Sequence, residues 1–305
     1  MGLTPISWAG QTWNYPASGC TKVSEGCRFC YIEKTTPFRV QHIRFDDPGD
    51  GRMVGATTGV TIHPDRQLAP FGVAEPTRWF VNSMSDLYHR EIGVEWIARA
   101  FAVMAMTPHH TYLTLTKRPA RQRALLRSHR FVALVARMMG ELAAVRKVAK
   151  GIAAGRYRTD LVWPLRNLHV GVSVEDRKSA DERLPALLDT PGEVLWASFE
   201  PLLEEVDLAD VRHREGEPAL DVFGRGLAWG VIGGESGALD VVRGMEQAWA
   251  DRLLAQYAAA GAPVFYKQTG TVLARQWGLK DRKGEDPAEW PHPYPRQYPH
   301  LALAS

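Results

Sequence analysis

Cys20, Cys27 and Cys30 are the chain's three cysteines, and they fall within eleven residues, "CTKVSEGCRFC". Thiols gathered this tightly suit a metal or a cluster better than a disulfide framework. Structural zinc takes four protein ligands. Here one Cys-x-x-Cys pair and one outlying thiol would need a fourth, and His42 is the nearest histidine downstream. A [2Fe–2S] centre also takes four, and copper has no supporting Met or His pattern. The arrangement that asks for three thiolates is a [4Fe–4S] cluster with one iron left open to a small molecule. Gly19 and Gly26 beside the thiols let the backbone curl around such a group. On the residues alone, a cluster, a zinc completed by His42 and three metal-free thiols all stay open.

A second set of chemical residues sits at regular intervals. Apolar runs rich in β-branched and aromatic residues end on a polar side chain: "RWFVNSMSD" (78–86), "HTYLTLTKR" (110–118), "LHVGVSVE" (168–175), "EVLWASFE" (193–200), "LAWGVIGGE" (227–235) and "APVFYKQ" (262–268). Helical patterns over 93–106, 128–151, 178–189 and 244–261 follow four of them. Strands alternating with helices predict βαβ units and a parallel sheet. In a parallel barrel the strand ends share the face that carries the active site. Asp86, Lys117, Glu175, Glu200, Glu235 and Lys267 are then candidates to line one pocket. The "GVIGGESG" run (Gly230, Gly233, Gly234, Glu235) ends a strand in glycines, which lets a backbone approach a ligand closely. Taken alone, the same run is a tight strand-to-helix turn.

The rest of the chain frames these groups. The expectation is a single α/β domain over 1–305, with an irregular insertion around 34–77 and a Pro-rich tail over 270–305. The net charge is +3, but 117–158 holds twelve Lys/Arg against Glu141 alone. That leaves +11 in the segment and −8 elsewhere, a solvated face or a surface for a polyanion such as a nucleotide or nucleic acid. The segment lacks the interleaved aromatics of a base-stacking platform. No apolar run has the length of a membrane span, and no signal pattern opens the chain. A cytoplasmic, membrane-free protein is expected, in a compartment where thiols stay reduced. No Walker loop, catalytic triad or His-Glu-x-x-His is present.

Cys27-Arg28-Phe29-Cys30-Tyr31 resembles the second half of the radical S-adenosylmethionine (SAM) signature. The departure is the first gap, which is six residues here where that signature has three. More of the chain resembles a narrower, uncharacterised family of phage and bacterial three-cysteine-motif proteins. The similar stretches are "TWNYPASGCTKVSEGCRFCY", "FVNSMSDLYH", "LTLTKRP", "VGVSVEDRKSADERLPALLDTP", "FEPLL", "VIGGESG" and "FYKQTG", in order along most of the chain. The resemblance implies a partial (β/α)6 or TIM-like barrel of the radical-SAM type. It also implies a [4Fe–4S] cluster on Cys20, Cys27 and Cys30 that binds SAM and takes an electron from a donor. Cleavage of SAM to methionine and a 5′-deoxyadenosyl radical would start chemistry on an anionic substrate. The resemblance puts Phe29 near the adenine. It makes Gly230, Gly233, Gly234 and Glu235 cofactor contacts, with Ser83 and Asp86 as the alternative partners of the SAM amino group. Lys117 and Arg118 would meet a carboxylate or phosphate, and Glu175, Glu200 and Lys267 would bind substrate or move protons. Two alternatives accompany this reading: a nucleic-acid-binding protein with a structural zinc, and a non-catalytic iron–sulfur sensor.

Overall fold

The computed structural model describes residues 4, 6–46, 53–211 and 226–299. Parts of the expected insertion (47–52) and tail (300–305) lie outside the described residues. The strands are β1 Gln11–Trp13, β2 Ala17–Ser18, β3 Thr61–Ile62, β4 Arg78–Val81, β5 Thr111–Thr116, β6 Leu168–Ser173, β7 Val194–Phe199, β8 Trp229–Gly233 and β9 Val264–Gln268. The helices are α1 Thr36–Val40, α2 Val94–Met106, α3 Pro119–Leu126, α4 His129–Ala143, α5 Arg146–Ala153, α6 Arg177–Leu188, α7 Gln247–Ala259 and α8 Thr271–Gln276.

The protein is α/β. Seven strands form one sheet in the order β1-β4-β5-β6-β7-β8-β9, and the registered pairs β1/β4, β4/β5, β7/β8 and β8/β9 are all parallel. A parallel sheet whose strand order follows the chain, with helices on the connections, has the topology of a partial (β/α) barrel, as expected. The six apolar runs each become a strand. β1 was not anticipated, since three residues are too short to show a period. β6 is buried at all six positions, although Leu168, Val170 and Val172 alternate with His169, Gly171 and Ser173; both faces of this strand are covered, as in a parallel sheet. The expected 128–151 helix is two, because Val145 turns to an extended conformation (φ −71°, ψ 122°) between α4 and α5.

Contacts divide the chain into two compact units. The first is Met1–Val23, Tyr31–Val170 and Thr190–Glu193; the second is Ser24–Cys30, Gly171–Asp189 and Val194–Ser305. In the first, α2 buries nine of its thirteen residues, and Phe101 meets Phe131 of α4 edge-on at 5.3 Å. The irregular insertion also belongs here: β3 pairs antiparallel with β2 just ahead of Cys20. In the second, the Pro-rich tail covers the free edge of β9. Tyr266 N donates to Pro295 O at 2.8 Å, and Tyr294 stacks on Tyr266 at 4.4 Å. Covering an edge in this way removes a row of unpaired backbone groups. Among the described residues no helix is long and apolar enough to cross a membrane.

Candidate functional site

In the first unit the chain leaves β4 through Asn82, whose backbone is left-handed (φ 58°), a region asparagine tolerates better than most residues. Its side chain is 2% exposed, and neither amide atom has a hydrogen-bond partner among the described residues. Ser83 Oγ donates to Asn14 Oδ1 at 3.0 Å, and its carbonyl accepts from Tyr31. Asp86 is buried and heavily used. Its carboxylate accepts from Tyr88 N (2.9 Å), Thr116 Oγ1 (2.7 Å), Lys117 N (3.1 Å) and Arg118 Nη1 (2.7 Å). The Lys117 ammonium nitrogen is buried.

Arg118 joins this carboxylate to the first thiol. Nη1 and Nη2 each stand 3.9 Å from Cys20 Sγ, and Nη2 donates to Thr21 O at 2.9 Å. Burial works against the Arg118 charge, but Asp86 and the Cys20 sulfur outweigh it and the pKa is raised. The insertion grips the same loop. Cys20 N donates to Thr58 Oγ1 at 2.9 Å, and Thr58 N donates to Cys20 O at 3.0 Å. Gly19 (φ 92°) lies against the Gly59 backbone with no room for a Cβ. His89 completes the clamp. Its Nδ1 accepts from Glu91 N (3.3 Å), so Nε2 carries the proton and donates to Thr21 Oγ1 at 2.9 Å. Burial first, and then Arg118, lower its pKa and keep it neutral.

The second unit holds the other two thiols. Glu175, at the end of β6, is fully buried and ion-paired to Arg183 at 3.0 Å. Its other oxygen accepts from Ser24 Oγ at 3.4 Å, and that hydroxyl lies 3.8 Å from Cys27 Sγ. Gly26 rests directly on the Glu175 side chain: a Cβ there would stand 2.6 Å from Cδ and 2.9 Å from Oε1. Glu235, at the end of β8, accepts from Arg243 Nη2 (2.6 Å), Nε (3.1 Å) and N (2.9 Å). Arg243 also donates to Glu25 O at 3.0 Å and lies 5.4 Å from the Phe29 ring centroid. Lys267 is ion-paired to Glu200, and both remain partly exposed. Gly233 adjoins that pair, since a Cβ would stand 3.4 Å from Glu200 Cδ. Gly234 and Gly230 have packing reasons to be glycine. The first abuts the Thr269 carbonyl group; at the second a Cβ would stand 2.5 Å from the Tyr257 ring.

The structure therefore gathers Asp86, Arg118 and Cys20 in one cluster. Glu175 with Cys27, Glu235 with Phe29, and Glu200 with Lys267 form three more. Sequence reasoning missed Arg183, Arg243, Ser24, His89 and Thr58: Ser24, His89 and Thr58 meet partners distant in sequence, and Arg183 and Arg243, eight residues from Glu175 and Glu235, are selected only by the burial of those acids. A buried acid at a strand end, which needs a cation, was the one available signal. His42 is exposed and sits in a left-handed turn after α1.

The three thiols are half-buried and none is in a disulfide. Among the described residues no three His, Cys, Asp or Glu side chains stand together closely enough to hold a metal ion. The donor chemistry fits a thiolate-ligated centre: Cys20 faces a guanidinium and Cys27 a hydroxyl, the kind of donors that outer partners of a metal-bound sulfur supply. The fit is one of donor type, not of assembled geometry.

An α/β protein with buried acid–arginine pairs at its parallel strand ends and thiols on the segments they hold is the class defined so far. The model of the family described as "Protein of unknown function (DUF5131)" matches residues 3–289, and the chain belongs to that family. No curated protein and no solved structure matches the chain.

Proposed function

We propose that this chain is a radical-SAM-type enzyme in which Cys20, Cys27 and Cys30 hold a [4Fe–4S] cluster. When bound, the cluster and SAM supply reductive cleavage of SAM and a radical that abstracts hydrogen from the substrate. The chain's own residues position and shield. Arg118, carried by Asp86, sets the Cys20 loop. Ser24, carried by Glu175, sets the Cys27 turn. Arg243, carried by Glu235, fixes Glu25 and lies over Phe29. The Lys267–Glu200 pair, whose carboxylate is the most exposed of the paired strand-end acids, can orient an anionic substrate group and hold a proton between amine and carboxylate.

The observation that carries this reading is the use made of the strand-end acids. Asp86, Glu175 and Glu235 each engage an arginine, and each cluster reaches a segment of the three-thiol motif. The amide of Asn82 supports a polar ligand. A buried, unsatisfied amide costs about 1–3 kcal/mol, which a ligand hydrogen bond would recover.

The test is anaerobic reconstitution with iron and sulfide, then metal analysis and EPR of the reduced protein with and without SAM. The expected result is about four irons per chain, a spectrum altered by SAM, and loss of both in Cys20→Ala, Cys27→Ala and Cys30→Ala. A colourless protein holding one zinc, with no response to SAM, overturns the proposal.

A further inference from the structure

The basic segment separates in the structure into two parts with different uses. Its first part is consumed internally. Arg118 pairs with Asp86, and Arg121 donates to the carbonyls of Tyr88, His89 and Ile92, the last at 2.7 Å. Within α4, Arg137 lies 3.9 Å from Glu141, which also takes Arg99 at 2.8 Å. Arg127 and Arg130 stay exposed ahead of and at the start of α4, and the densest remaining group is α5 and the turn after it. Arg146, Lys147, Lys150, Arg156 and Arg158 are all exposed, and among the described residues none forms an ion pair with an acid. No acidic residue lies between Glu141 and Asp160.

On α5 the charges share one side, since Arg146 and Lys150 are four apart and Lys147 and Lys150 three apart. The opposite side is sealed. Val148 and Gly151 are buried, and a Cβ on Gly151 would stand 2.9 Å from Cζ of Tyr157. Tyr157 in turn donates to Phe71 O at 2.6 Å and packs edge-on against the Phe71 ring. The start of α5 is built against its own dipole. Val145 provides no side-chain cap, no acid lies in the first turn, and two cations do. A helix N-terminus is already positive, so this end repels its own side chains until an anion arrives.

We propose that Arg146–Arg158 is a docking surface for the phosphate backbone of duplex nucleic acid. A membrane-binding basic helix must offer its apolar face to lipid, and here that face is occupied by Tyr157. A single-strand groove stacks bases on aromatic rings, and the one ring in this segment, Tyr157, is half-buried and packed against Gly151 and Phe71. Regular backbone phosphate, read through charge alone, is the partner that remains. The surface is independent of the thiols and of the cofactor reading.

The test is fluorescence anisotropy of a labelled mixed-sequence duplex with the full chain, titrated across 50–300 mM NaCl. Five backbone contacts give a log K against log salt slope of about −4.5. Arg146→Ala/Lys147→Ala/Lys150→Ala should flatten the slope by about 2.7 and weaken binding more than tenfold at 100 mM. Arg177→Ala/Arg252→Ala, which removes exposed cations already paired to acids, should leave the slope unchanged. The charge reversal Lys147→Glu/Lys150→Glu, checked for native circular dichroism, should abolish binding. Three outcomes overturn the proposal: no duplex binding at 50 mM salt, an unchanged slope in the triple variant, or tighter binding to phosphatidylserine vesicles than to duplex. Retention of duplex binding by Cys27→Ser would show that this surface stands even if the cluster reading fails.

Discussion

Replacing Gly26 by alanine tests whether the Cys27 turn is built on Glu175. Two effects oppose each other. Alanine restricts the unfolded chain and would stabilise by about 0.4–1 kcal/mol where the backbone allows it. Gly26 is not among the positive-φ glycines, so nothing in its backbone forbids alanine. Against this, the new methyl would stand 2.6 Å from Glu175 Cδ and closer still to Cγ. These are mid-chain atoms of a side chain with no exposed area, held by Arg183 at 3.0 Å. Overpacking of this kind costs about 1–3 kcal/mol. If the carboxylate is pushed off Arg183 the cost moves towards the roughly 3–5 kcal/mol of a broken buried pair. The clash wins, and Gly26→Ala should destabilise by about 1–2 kcal/mol. In a Glu175→Ala background the obstacle is gone, and the same change should be neutral or stabilising. The assay is urea unfolding of the metal-free protein for all four members of the cycle. An equal cost of Gly26→Ala with and without Glu175 would refute the packing argument. On the proposed function, Gly26→Ala should also bind less iron per chain than the parent.

Other consequences follow from the same contacts. Arg118→Gln leaves the buried Asp86 carboxylate without its cation and should cost on the order of 3 kcal/mol in urea unfolding; a change below 0.5 kcal/mol would be incompatible with the pair. Two buried histidines set an acid limit. Burial pushes His110 and His169 down to about 4, and His110 already accepts Thr77 N on Nδ1 and faces Pro70 O with Nε2. The unfolded chain then binds the extra protons, so stability is full above about pH 6.5 and falls as pH drops towards 4, by up to about 1.4 kcal/mol per pH unit for each imidazole. His110→Leu should flatten that slope by one proton, and an unchanged slope would count against a neutral His110. Asn82→Gly suits the left-handed backbone and removes the orphaned amide. It should leave stability and iron content intact while raising the SAM Kd, whereas unaltered SAM affinity would remove Asn82 from the site. Gly230→Ala should destabilise by about 1–3 kcal/mol against Tyr257 with SAM affinity preserved; loss of SAM affinity without loss of stability would instead make Gly230 a cofactor contact.

Much of the fold was legible because it rests on local pattern. The six apolar runs and four helical patterns survive as elements, since β-branched runs and helical periodicity report burial directly. The elements that escaped are those whose reason is not local. β1 is held as a strand by β4, and β3 by β2. α8 was hidden in what reads as tail, and Val145 divides a helix whose periodicity runs through it. The thiols and the strand-end acids were also legible, as residue types in positions where chemistry is expected.

What the sequence determined by itself was the inventory: three cysteines in one short segment, acids at strand ends, and a run of cations. What only the tertiary structure decided was how those charges are spent. A carboxylate at a strand end reads the same whether it awaits a substrate or anchors a loop. Burial makes the difference, because an acid withdrawn from water must find a cation. Asp86, Glu175 and Glu235 found Arg118, Arg183 and Arg243, residues eight to thirty-two positions away. The basic run was divided in the same way: Arg118 and Arg121 turned inward where buried acceptors needed donors. The cations on α5 stayed outside, because Tyr157 had already filled the space on its apolar side.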